Sequence, residues 1–322
     1  MKFKRFYKTP IVMILFLFLV FAGCGEKELT KVKMSYKKNT NAHSVFVAMD
    51  QGYFKAEGLD VEWVEFQSTN IIIQALVAGQ IDATPLSSVP TIYGVEQNSP
   101  GTIQIYLVGL MATGRFSDAI IVGKDSTFSS LSDLKGKKVG VFPGSASQVL
   151  LKRILKNFFE PENNVTMVEM EPKILLQALG SGQVDAVLSF EPLTTIALEK
   201  GIAKVLIQEP VEKYVMDPMP FALGVMTTKF INKHPKTAKK IINAMYKTVD
   251  FMRENPEETM RITARALEMS EERALKLKPF LYWKLDEVDK KVVQDFAELL
   301  YQGGDLKEKV DTTQMYLDLS KL

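Results

Sequence analysis

The 322-residue sequence has one cysteine, Cys24, two histidines, His43 and His234, and two tryptophans. A single cysteine excludes a disulfide within the chain, and so few cysteines and histidines exclude a zinc site of the Cys/His type. Net charge is nearly absent as well, since 40 Lys and Arg stand against 38 Asp and Glu and leave +2. That balance lacks the positive excess with which nucleic-acid-binding domains meet phosphate backbones, so nucleic acid is not an expected partner. No apolar run reaches the roughly 20 residues that a membrane-spanning helix requires. With 46% hydrophobic and 24% charged residues, the chain is neither disordered nor an all-membrane fold. Its length suits about two domains at roughly 150 residues each.

What is present begins at the front. Lys2, Lys4, Arg5 and Lys8 precede an unbroken apolar or small-residue run over residues 11–23, and the first acid is Glu26. A basic head before a short apolar run reads as an export signal. Phe21-Ala22-Gly23-Cys24 resembles a bacterial lipobox. The resemblance implies removal of residues 1–23, a lipid on Cys24, and a short polar linker over 24–31 that tethers the protein outside a membrane.

The strongest internal signal is a repeat. Gln74-Ala75-Leu76-Val77-Ala78-Gly79-Gln80-Ile81-Asp82-Ala83 recurs as Gln177-Ala178-Leu179-Gly180-Ser181-Gly182-Gln183-Val184-Asp185-Ala186, with seven identities in ten positions at an offset of 103. Strand-like runs at 59–64 and 164–169 lie at nearly the same offset, and so do Lys31-Val32-Lys33-Met34-Ser35 and Lys137-Lys138-Val139-Gly140-Val141. Each unit reads strand, loop, helix, strand, helix, strand, the alternation of a sheet flanked by helices. Two units predict two similar lobes, each with a mostly parallel sheet. Between them, Gln104-Ile105-Tyr106-Leu107-Val108 and Ala119-Ile120-Ile121-Val122 are apolar strands, and Phe221-Ala222-Leu223-Gly224-Val225-Met226 is another. A chain leaving near Ser117 and returning near Phe221 makes two crossovers, a hinge. The expected division is lobe 1 over 32–118 and 223–322 and lobe 2 over 119–222. After Lys229 the spacing of Ala238, Ile241, Ile242, Met245, Val249 and Met252 predicts a helix with one apolar face, and the later helices are expected to buttress lobe 1.

In open α/β sheets, ligands sit beyond the carboxyl ends of the strands, where loops enter helix N-termini. The alignment of the two units pairs the loop holding Asn41, His43 and Ser44 with the loop holding Ser145, Ser147 and Gln148. A second pair follows the repeats, with Ser87 and Ser88 in one and Phe190 and Glu191 in the other. These ten positions are candidate ligand contacts around one gap. Each has a structural alternative, since Ser and Asn commonly cap helices and a carboxylate before Pro192 suits a hinge. Arg115 lies near the first crossover; a buried guanidinium there pairs with an acid or an anionic ligand, because an unpaired one costs several kcal/mol. Phe116, Phe142 and Phe190 are loop aromatics suited to stack on a planar solute. Such a gap binds without a catalytic residue, cofactor or metal.

Five motifs in order carry a family resemblance: Asn39-Thr40-Asn41-Ala42-His43; Asp50-Gln51-Gly52-Tyr53-Phe54-Lys55-Ala56-Glu57-Gly58-Leu59-Asp60-Val61; Ala75-Leu76-Val77-Ala78-Gly79-Gln80-Ile81-Asp82; Asp133-Leu134-Lys135-Gly136-Lys137-Lys138-Val139-Gly140-Val141; and Phe190-Glu191-Pro192. Together they resemble the nitrate, sulfonate and taurine type of substrate-binding protein of ABC importers, over nearly all of the chain after residue 23. Asn-Thr-Asn close to His resembles the branch that binds pyrimidine precursors of thiamine or flavin-like heterocycles. The resemblance implies a two-lobed periplasmic-binding-protein fold of type II and two hinge crossovers. It further implies capture of a small polar or anionic organic solute and delivery to the transmembrane subunits of an ABC permease, by a non-enzymatic monomer. Two alternatives share the fold: a pyrimidine-synthase-like enzyme using a histidine and pyridoxal phosphate, and a signalling or adhesion lipoprotein without cargo.

Overall fold

The computed structural model describes residues 28–39, 42–143, 145–160 and 164–322, and of Ser145 and Ala146 the backbone alone. The export signal, Cys24 and Asn41 lie outside the described residues. The chain first lays down β1 (Thr30–Tyr36), α1 (His43–Gln51), α2 (Tyr53–Ala56), β2 (Leu59–Glu65), α3 (Thr69–Val77), β3 (Ala83–Ser88), α4 (Val89–Glu96) and β4 (Ile103–Met111). It then crosses over and builds β5 (Asp118–Gly123), β6 (Lys137–Val141), α5 (Ser145–Leu155), β7 (Val165–Glu169), α6 (Pro172–Gly180), β8 (Ala186–Phe190), α7 (Leu193–Glu199), β9 (Ala203–Gln208) and α8 (Pro210–Tyr214). It returns as β10 (Met219–Thr227), α9 (Thr228–Lys233), α10 (Pro235–Glu254), α11 (Pro256–Leu267), α12 (Glu271–Lys276), β11 (Leu281–Lys284) and α13 (Lys290–Gln302).

Two sheets result, each with its helices forming one lobe. The first runs β11-β4-β10-β3-β1-β2 and the second β7-β6-β8-β5-β9. The α/β architecture with two helix-flanked sheets is the expected one, but both sheets are mixed. Among the strands named above, parallel pairing joins β1 with β2 and β3, and β6 with β7 and β8. Strands β10 and β5, which carry the chain in from the other lobe, pair antiparallel with both neighbours. Parallel neighbours need a helical crossover within one lobe, and a strand arriving from outside is free of that requirement.

The ten-residue repeat is a structural device used twice. Helices α3 and α6 are followed by Gly79 and Gly182, both at φ +73, a left-handed conformation that glycine adopts without a Cβ penalty. Behind them Gln80 N donates to Ala75 O and Gln183 N to Ala178 O, both at 2.8 Å. The aspartates then tie strand to strand. Asp82 Oδ2 accepts from Lys33 N while Asp82 N donates to Lys33 O, and Asp185 repeats this with Lys138, all at 2.8 Å. Only a side chain that reaches a neighbouring backbone N–H can do this, which explains why Gly and Asp recur at fixed spacing.

Apolar faces close each lobe. The predicted face of α10, from Ala238 to Met252, is buried with Phe46, Phe54, Leu59 and Tyr106 in the first lobe. Ala119, Ile121, Leu175, Leu179, Val184 and Val187 pack together in the second. A further cluster joins the lobes, from Ile92 and Tyr93 of α4 to Leu151 and Ile154 of α5 and Phe296 and Leu300 of α13. There Arg153 donates to Leu299 O at 2.7 Å and pairs with Asp305 at 2.6 Å, both side chains largely buried.

Candidate functional site

The crossovers at 112–117 and 209–218 lie side by side and are stitched by carboxylates. Glu209 Oε1 accepts from Gly114 N at 2.7 Å and from Phe116 N at 2.8 Å, and Asp217 accepts from Thr113 N and Oγ1 at 3.2 and 2.7 Å. Phe116 and Glu209 both have left-handed φ, at 55 and 53, which a side chain adopts at a cost. Directly behind them Asp118 and Glu212 are buried together. Ser117 Oγ donates to Glu212 Oε1 at 3.5 Å, and Val211 N donates to Asp118 Oδ2 at 3.1 Å. Loss of hydration raises both carboxyls, Asp118 well above the ordinary range.

A cavity opens where the crossover meets both lobes. Its lining is His43 at the start of α1, Arg115 and Ser117 of the crossover, Glu191 after β8, and Leu277, Lys278 and Phe280 between α12 and β11. About 250 Å³ is free of atoms, counted out to the mouth, but only about 10 Å³ of it takes the centre of a water-sized sphere. The smaller figure measures what the gap holds as the side chains stand, roughly one water. Anything larger requires the walls to part.

The polar groups of the wall are defined by burial. His43 is 2% exposed; Nδ1 lies 3.0 Å from Thr263 Oγ1 of α11, and the ring tilts against Phe280 at 5.7 Å. Burial lowers its pKa to about 3, so the imidazole is neutral at pH 7. Burial raises the Glu191 carboxyl, opposed by the Thr195 N–H that donates to Oε2 at 3.2 Å. Arg115 is half-buried. Lys278 donates to Gly114 O at 2.8 Å and lies over the Phe116 ring at 4.8 Å. Phe280 also packs on Phe221, with ring centres 4.5 Å apart.

Of the residues selected from sequence, His43, Arg115 and Glu191 share this lining. Ser44, Ser87 and Ser88 are buried at 0%, 1% and 8% exposure, with hydroxyls that meet no hydrogen-bond partner among the described residues. Ser35 and Tyr282 hydroxyls share that state, although Ser44 is near enough to lower the phenol's pKa against its burial. Register puts Ser88 and Tyr282 at one level. Ser88 faces Ala222, Ala222 faces Gly109, and Gly109 faces Tyr282. Ser87, Ser88 and Phe190 belong to strands rather than loops, because β10 pairs along β3 to Ser88 and β5 along β8 to Phe190. Phe190 packs edge-on against Phe142 at 5.5 Å. Ser147 is buried, whereas Gln148 is exposed and donates to Glu169; neither lines the cavity. Asn41 and the side chain of Ser145 lie outside the described residues.

The sequence reading missed Ser117, Leu277, Lys278 and Phe280. Phe280-Leu281-Tyr282-Trp283 following Pro279 was the available signal, an aromatic strand after a helix stop. Among the described residues no group of three metal-ligating side chains is close enough to hold an ion, and no helix is long and apolar enough to cross a membrane.

The NMT1-like family model matches residues 25–268. The chain belongs to the NMT1-like family. Within and around that family, a Bacillus subtilis protein named for binding aliphatic sulfonates is 26% identical over 89% of this chain and 81% of its own. A Haemophilus influenzae protein named for thiamine biosynthesis is 28% identical over 86% of this chain and 88% of its own. In structure, this family member resembles the periplasmic aliphatic sulphonate binding protein of Escherichia coli, with a TM-score of 0.73 at 19% identity, over 89% of this chain and 97% of that one. At that identity the likeness establishes the shared fold.

Proposed function

We propose that this protein is the extracytoplasmic solute receptor of an ABC importer, which closes two lobes over one small polar organic solute and presents the closed form to a permease. The observation that carries this reading is a cavity lined jointly by lobe 1 through His43 and Phe280, lobe 2 through Glu191, and the crossover through Arg115 and Ser117. As the side chains stand the gap holds roughly one water, so a solute of even a few heavy atoms enters as the walls part, and the closed site lies below the usual range for larger ligands. An aromatic wall and polar rim suit either a planar heterocycle or a small sulfonate held at Arg115. A micromolar dissociation constant requires about −8 kcal/mol, within reach of several polar contacts and an aromatic face. The basic head and apolar run ahead of Cys24 support the reading that the chain is exported and held outside the membrane by a lipid on that cysteine. For the enzyme alternative the cavity's lysine would have to carry the aldehyde, and Lys278 Nζ is held by Gly114 O and the Phe116 ring. Adding pyridoxal phosphate and reading absorbance separates the two, since a receptor gives no stable lysine aldimine. Native mass spectrometry of the purified protein tests the receptor directly: a co-purified small molecule of defined mass is expected, and absence of any binder across a broad solute panel would contradict it.

A further inference from the structure

The hydrogen bonds behind His43 fix which of its ring nitrogens carries the proton. Thr263 Oγ1 lies 2.8 Å from Thr259 O, a carbonyl that can only accept, so the single Thr263 hydroxyl proton is committed to that bond. The contact of His43 Nδ1 with the same Oγ1, at 3.0 Å, must then be made by a proton on Nδ1. A threonine hydroxyl turned toward Nδ1 instead would leave two oxygens facing each other at 2.8 Å. Nε2, across the ring, is therefore bare of hydrogen and makes no hydrogen bond among the described residues, while the ring lines the cavity. With the imidazole 2% exposed, a neutral ring is the favoured form.

The geometry points to Nε2 of His43 as a fixed hydrogen-bond acceptor on the cavity wall, so that the solute carries an N–H donor (an amine, amide or amino-heterocycle) and solutes offering only oxygen acceptors at that point are discriminated against. This rests on the cavity being the solute site and narrows the solute class within it. An anionic group remains admissible at Arg115, on a different part of the lining. A site that hydrogen-bonds a polar group rejects the analogue lacking it, because its own buried polar atom is then left unpaired. Thr263, which does not line the cavity, acts as a positioning residue by holding the tautomer.

Two matched pairs of probes test this: ethanesulfonate against taurine, and pyrimidine against 4-aminopyrimidine, each pair differing by one amino group. Calorimetric titration should show the amino member binding at least tenfold tighter in whichever pair binds. T263V should shrink that ratio at least threefold, since Nδ1 loses its acceptor and the proton is free to move to Nε2. Equal affinity within a binding pair overturns the acceptor assignment while leaving the receptor intact. The ¹⁵N spectrum of histidine-labelled wild-type protein decides the matter independently of any solute. With two histidines, and H234Q to assign the exposed His234, His43 should show a pyrrole-type Nδ1 and a pyridine-type Nε2 at pH 7. A protonated Nε2 overturns the proposal even if no probe binds.

Discussion

The two lobes share one repeat with the same internal hydrogen bonds, yet they turn different walls to the cleft. In lobe 1 the loop after β1 sets a buried, neutral His43 at the start of α1, and the same lobe buries the hydroxyls of Ser35, Ser44, Ser87 and Ser88. In lobe 2 the corresponding helix brings a buried Ser147 and an exposed Gln148, and the wall's cavity residue is Glu191 from the next strand end. The shared residues are those that hold strands together; the divergent ones face the gap. Duplicated scaffolding therefore does not imply a symmetric site. Lobe 1 brings His43 and Phe280 to the cavity lining, and lobe 2 brings the Glu191 carboxyl.

The contact between the lobes is where a substitution should act most strongly. R153A leaves Asp305 buried without its cation and should cost about 3–5 kcal/mol in denaturant unfolding. G303A should act in the same direction, because a Cβ there would fall 1.3 Å from Arg153 Nη2. Wild-type stability in both would show that the lobes do not depend on this clasp. Next comes the asymmetry of the walls. H43A should weaken solute binding about tenfold or more, about 1.4 kcal/mol, while S147A changes it less than about threefold. The reverse order, read by calorimetry, would put the binding surface in lobe 2.

The third effect is a pH dependence specific to lobe 1. The folded-state pKa of His43 is lowered to about 3, against about 6.5 when unfolded. The unfolded chain therefore binds a proton that the native one refuses. The stability is fully present above about pH 6.5 and falls below it by up to about 1.4 kcal/mol per pH unit. The difference between wild type and H43Q, followed by thermal melting from pH 8 to pH 5, should show this slope; parallel curves would mean that the ring charges freely. The smallest effect tests the shared scaffold. D82N and D185N each loosen one carboxylate-to-backbone bond at 2.8 Å and should cost about 1 kcal/mol apiece. A clear inequality would break the structural equivalence of the repeats.

Much of this architecture was legible because it depends on local chemistry. Gly79 and Gly182 end helices, Asp82 and Asp185 tie strands, and the 103-residue offset places the corresponding elements of the second unit. His43 and Glu191 could be selected because helix starts and strand ends are visible in sequence, and Arg115 because it lies near the expected crossover. The mixed pairing was not legible, since it follows from β5 and β10 entering from the opposite lobe. Nor was the return of 277–280 to the cavity, or the junction of Arg153 with Asp305, which are contacts across long stretches of chain without a repeated counterpart. The common level of the Ser88 and Tyr282 hydroxyls depends on register between β3, β10, β4 and β11, which residue spacing alone does not determine.

Small-angle X-ray scattering of the purified protein, stripped of bound solute and then resupplied with the molecule identified by native mass spectrometry, tests the closure of two lobes most directly. The account predicts a smaller radius of gyration on saturation, with R153A more expanded than wild type in the stripped state. Superimposable scattering curves with and without a solute bound at the cavity would contradict it.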